Sequence, residues 1–191
     1  MKFLDKKFTQ ETLKLALPVM LTQVGQVSVN LFDNIIVGKL LGSKALASVS
    51  LGNAIFFSIF IFGLGFSLAI PPLVSEAHSQ HNHDRINSVF RHGFVVNLTV
   101  GIILVGLIFG FIPFLPHLGQ PKEILPDTVT FLSIVTLSII PFMMFQTMRE
   151  VSEGLSYTIG VTKATIFANV INIILNYIFI KTFSWGVAGS A

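Results

Sequence analysis

The chain has 191 residues but only 12 basic and 9 acidic side chains, 11% of the total, against about 25% in ordinary soluble domains. So few ions cannot cover a globular surface; with 52% apolar residues, 19 Phe and a mean hydropathy of +0.79, most of the chain has lipid as its solvent. The absence of cysteine excludes disulfides and thiolate chemistry. The formal charge of +3 is dispersed at the ends of apolar runs and argues against a nucleic-acid partner.

Runs free of Asp, Glu, Lys and Arg measure the chain against a hydrocarbon layer of about 30 Å, which a helix of about 20 apolar residues crosses. The first run extends from Leu15 to Gly38, broken only by Asp33; the second covers 45–75 and the third lies in 92–121. The fourth is 128–148 and the fifth 164–180, after which "TFSWGVAGSA" turns apolar again. The expected fold is an all-α polytopic bundle with helices at about 13–38, 46–72, 90–112, 127–148 and 163–181, and a sixth starting near 185. A signal peptide is the competing reading of "MKFLDKKF" and the run behind it, but that run is too long, carries an acid and has no A-x-A site.

Lys and Arg in alternate loops set the orientation. One side holds Lys2, Lys6, Lys7, Lys14, Arg85, Arg91, Arg149 and Lys163; the other holds only Lys39, Lys44, Lys122 and Lys181. The N-terminus is therefore expected in the cytoplasm, with the chain in the inner (plasma) membrane. The loops leave no room for a domain outside the bilayer.

Asp33 is the one acid inside a run, and an ionised Asp at the centre of a spanning helix costs about 2.5–3.5 kcal/mol even on insertion scales. At 100° per residue, Asn30 lies about 60° from it and Gln26 and Thr22 about 20° to either side, a polar stripe on one face. An interfacial Asp33 paired with Lys39 or Lys44 is the alternative. The fifth run repeats the stripe with Thr165, Asn169, Asn172 and Asn176, spaced four, three and four apart. Such Asn residues can act as glue between helices. Two facing stripes can instead form a hydrated pocket of hard oxygen ligands for a small cation. The carboxylate could also take a proton, which removes the charge and the cost of burying it.

Pro18 removes an amide donor near the start of the first helix and predicts a bend there; Pro141 predicts one in the fourth. Gly63, Gly65, Gly106 and Gly110 are read as sites of close helix approach. The histidines of "EAHSQHNHDR" match no zinc spacing, so no metal is expected. No catalytic constellation or phosphate-binding loop is visible either, which argues against an enzyme and against ATP coupling.

In order and spacing, "LALPVMLTQVGQ", "LFDNIIVGKLLG", "FQTMREVSEGLS" and "NIILNYIFI" followed by "WGVAGSA" resemble the first half of a multidrug and toxic compound extrusion (MATE) transporter. The resemblance implies a twelve-helix protein of two related six-helix bundles, exporting cationic or amphipathic drugs in exchange for Na+ or H+ as the coupling ion, with no other cofactor. It implies that Asp33, Asn172 and Asn176 form the cation or proton site. Some members carry Asp at the position of Asn176, so a site here has one negative charge fewer. The chain is then the N-terminal bundle, with the C-terminal bundle as its partner beside lipid and small-molecule drugs. Gln26, Asn30, Asn53, Met143 and Gln146 are the candidates to line the substrate cleft. A lipid-linked saccharide flippase of the same superfamily is the alternative, although the runs hold no Lys or Arg for a pyrophosphate. A non-transporting membrane scaffold is the other.

Overall fold

The computed structural model describes residues 6–191, except the side chains of 6–9, 11, 12, 14, 15, 18, 19, 22, 23 and 26. The described residues are helical, without strands: α1 (Lys6–Ser67), α2 (Ile70–Ser79), α3 (His83–Phe111), α4 (Leu125–Leu137), α5 (Ile139–Gly154) and α6 (Thr158–Lys181). Short 3-10 turns occupy Ile112–Leu118 and Gly186–Gly189, the second falling where the sixth helix is expected to begin.

α1 is two helices that meet at Gly42, whose φ of 87° and ψ of 179° only glycine adopts at little cost. A Cβ on Gly38 would lie 3.3 Å from Leu46 Cδ2, although a continuous helix would hold residues eight apart at about 12 Å along its axis. The chain therefore reverses at Gly42, giving a first limb, 6–41, and a second limb, 43–67. The expected loop between the first two spans shrinks to this one residue. Hence one stretch, Val27–Ser79, is long and apolar enough to span where two separate spans are expected; His83–Leu118 and Thr158–Lys181 also qualify, and α4 with α5 makes a fourth, bent by 41°. That bend sits just before Pro141, whose ring displaces the carbonyl of Leu137.

The pairing of side chains gives the directions of these passes. Gly25 faces Asn169 and Asp33 faces Asn176, so the first limb and α6 run parallel. Thr128 Oγ1 donates to the carbonyl of Ser48, and Phe131 sits against Gly52, so the second limb runs parallel to α4. Gly63 meets Leu104 and Ser67 meets Asn97, making α3 antiparallel to both. Passes thus alternate in direction along the chain. The helices overrun the expected bounds, α3 beginning at His83 and α6 at Thr158, because the uncharged runs mark the hydrocarbon layer while helices continue into the headgroups. Much of "EAHSQHNHDR" is itself helical, leaving a short turn capped by Asn82 Oδ1, which accepts from the Arg85 amide at 2.9 Å.

The core has three parts. Phe60, Leu104, Ile108, Leu115, Leu132, Ile139 and Met143 form the largest, Val37, Ala45, Val49, Phe131, Ile180 and Val187 the second, and Ile70, Val74, Ala77 and Ile86 the third. Many apolar side chains point outward, among them Val27, Phe62 and Phe167. Lipid accepts these as readily as a core does, so close packing and interhelical bonds hold the bundle instead. Gly65, Gly106 and Gly110, expected at helix contacts, face open space, whereas Gly63 and Gly154 are closely packed. A Cβ on Gly154 would lie 2.8 Å from Val74 Cβ and 2.9 Å from the Pro71 carbonyl, neither of which can move freely. Gly154→Ala should therefore destabilise the protein by about 1–3 kcal/mol, read as a lower melting temperature in detergent, while Gly106→Ala should not lower it.

Candidate functional site

Asp33 projects from the first limb between two and three turns before Gly42 and is half-buried against α6. Asn176 Nδ2 donates to Asp33 Oδ1 at 2.6 Å. The carbonyl oxygen of Asn176 is buried and has no partner. The amide thus stabilises the carboxylate with one end and leaves a hard oxygen beside it with the other. Lys39 and Lys44 are exposed, and neither forms an ion pair with Asp33. The interfacial pairing considered as the alternative is absent.

The stripe on α6 divides. Thr165, Asn169 and Asn176 turn toward the bundle, where Thr165 Oγ1 and Asn169 Nδ2 are buried without hydrogen-bond partners. Asn169 approaches the first limb because Gly25 has no side chain to hold it off: a Cβ there would be 3.1 Å from its Nδ2. Asn172 is exposed and lies outside the Asp33–Asn176 bond, since an offset of four residues turns it about 40° from Asn176.

The expected lining residues also separate. Asn30 is exposed and Asn53 half-buried. Met143 is fully buried, packed between Gly63 and Gly101, and Gln146 is 4% exposed. Neither borders open space in this conformation, a correction to the cleft expected from the sequence, because both face inward on α5 at the seam with its neighbours. The side chains of Pro18, Thr22 and Gln26 lie outside the described residues.

Two polar groupings escaped the sequence reading. Ser67 Oγ donates to Asn97 Oδ1 at 3.2 Å, and Asn97 Nδ2 to Thr147 Oγ1 at 2.7 Å, tying α1, α3 and α5 together in the interior. Asn97 stands out as a lone amide deep in the third run, which was the available signal. At the end of α5, Gln146 Nε2 donates to Glu150 Oε1 at 2.5 Å and Arg149 pairs with Glu153 at 2.8 Å. The spacing of four marks each pair as helical neighbours, but the charges placed Arg149, Glu150 and Glu153 in a loop.

The family model described as MatE matches residues 18–178 of the chain. The chain is 26% identical over 175 residues to the multidrug resistance protein NorM of Photobacterium profundum, covering 92% of this chain and 38% of the relative. It is 31% identical over 190 residues to the probable multidrug resistance protein NorM of Pasteurella multocida, covering 94% and 39%. A crystal structure of MATE in the straight conformation superimposes with a TM-score of 0.89 at 18% identity, covering 98% of this chain and 42% of that one. The chain thus spans about two fifths of the length of the relatives it matches.

The Asp33–Asn176 bond can be weighed directly. A double-mutant cycle with Asp33→Ala and Asn176→Ala, read by melting in detergent, should give a coupling on the order of 1 kcal/mol; additive effects would mean the two side chains do not interact.

Proposed function

The chain belongs to the MatE family, and on that premise we propose that it forms the N-terminal bundle of a secondary antiporter exporting cationic or amphipathic drugs in exchange for Na+ or H+. The observation that carries this reading is the 2.6 Å bond between Asp33 and Asn176, which joins the one acid of the apolar runs to the amide row of α6. Multidrug resistance is what the names of the NorM relatives describe, and it is extended here to this chain.

The coupling ion binds at Asp33. A proton would neutralise the carboxylate; Na+ would recruit the unpartnered Asn176 oxygen and the exposed amide of Asn172, with water completing the shell. Either event weakens the bond from Asn176 Nδ2, because that bond draws its strength from the negative charge. The first limb then loses a reason to hold its present face toward α6, and a second packing of α1 becomes accessible. Asn30 and Asn53 are the residues that would meet the drug in the cleft; Gln26 shares the face of Asp33. Met143 and Gln146 would join them only if α5 shifts. The N-terminus lies in the cytoplasm and the bundle in the inner (plasma) membrane, from the excess of Lys and Arg on that side. The bundle partners the C-terminal half that the longer relatives carry.

Dye accumulation in cells, compared under separate sodium and pH gradients, tests the reading. Wild type should export the dye under one of the two gradients. Asp33→Asn should lose at least tenfold in gradient-driven export while reaching the membrane at normal levels. Undiminished export by Asp33→Asn would overturn the mechanism.

A further inference from the structure

Glu150 has no part in the site above, yet it is 3% exposed. It sits one turn before the end of α5 at Gly154, near the start of α6, whereas Asp33 meets α6 at Asn176. From Thr158 to Asn176 is about 27 Å along the axis of α6, so the two acids occupy opposite ends of the bundle.

A buried ionised carboxylate needs a cation or several donors. Glu150 accepts one hydrogen bond, from Gln146 Nε2 at 2.5 Å, and Gln146 is itself 4% exposed with its carbonyl oxygen unpartnered. Arg149, the adjacent cation, directs its Nε to Glu153 Oε1 at 2.8 Å. Among the described side chains, charged or titratable groups on the elements packed against α5 give no help. On α2 and α3, Glu76 pairs with Arg85, and His78, His83, Asp84, Arg91 and His92 are exposed. Lys163 on α6 is exposed as well. On α4, Asp127 stands at the far end, as do the described charges of α1, which are Asp33, Lys39 and Lys44. What Glu150 does have beside it is an amide, which can offer either its N–H or, turned over, its oxygen; the two are assigned by hydrogen bonding.

We propose that Glu150 and Gln146 form a second proton-binding site, at the end of the bundle opposite Asp33. In the packed state the proton rides on Glu150 and is donated to the Gln146 carbonyl, and the pair is closed to water. When the α5–α6 end opens, water reaches the carboxyl, the proton leaves to solvent and the ionised form is hydrated. Which face the site opens to rests on the orientation proposed above; the presence of the proton does not.

Infrared difference spectra of the purified protein in lipid at neutral pH test this without transport. Wild type should show a protonated-carboxyl C=O band that is absent from Glu150→Gln and retained in Asp33→Asn. Gln146→Leu should shift that band to higher frequency by removing its hydrogen bond. A wild-type spectrum without the band, or a band unchanged in Glu150→Gln and in Gln146→Leu, would overturn the proposal. Loss of dye export in Asp33→Asn reads the other acid, so either idea can fail while the other stands.

Discussion

Within hydrocarbon a polar group has no water to fall back on, so one left without a partner inside the protein is costly, and few are left so. This constraint governs the bundle. Serine and threonine hydroxyls along the helices return to the carbonyl one turn back, as Ser28, Ser58, Thr99 and Thr136 do. Groups too long for that local solution cross to a neighbour instead, Asp33 to Asn176 and Asn97 to Ser67 and Thr147, while Thr128 reaches both the carbonyl of Ile124 one turn back and that of Ser48. These bonds set which helix faces meet, in an environment where apolar burial distinguishes poorly between neighbours. The Asn176 link also favours the parallel register of the first limb against α6, since a slide by one turn, about 5.4 Å, would carry the acid out of hydrogen-bond reach of that amide.

The helical class was legible because it follows from one quantity, the length of chain without charge. The meeting of the first limb with α6 at Asp33 and Asn176 has its signal in the sequence too, as two polar stripes at helical spacing. What spacing could not reveal is rotation: Asn172 and Asn176 share a face to within about 40°, yet one is exposed and the other buried. Which edge of a stripe meets the neighbour depends on the crossing of two helices. Met143 shows the same limit from the other side, since nothing in "PFMMFQ" separates it from Met144. The gap between Gly63 and Gly101 does, by accepting its side chain.

Charge misled where a helix outlasts the hydrocarbon layer. "REVSEGLSYTIGVTK" read as a loop because it carries four ions, yet Arg149, Glu150 and Glu153 continue α5 and two of them are buried. A ruler built on the absence of charge stops at the first Arg by construction. The i,i+4 pairs beyond it were the sign that helical geometry had not ended.

Reversal of α1 at one residue carries a mechanical consequence. A chain that turned through a flexible loop would let its two arms travel independently, with slack to absorb the difference. Gly42 supplies none: successive Cα atoms are about 3.8 Å apart, and a Cβ on Gly38 would already crowd Leu46 across the turn. A tilt or roll of the first limb near Asp33 therefore tows Ser43 and the helix behind it, together with the Ser48 clasp to α4. The arm that bears the carboxylate and the arm that bears Asn53 behave as a crank with a single pivot.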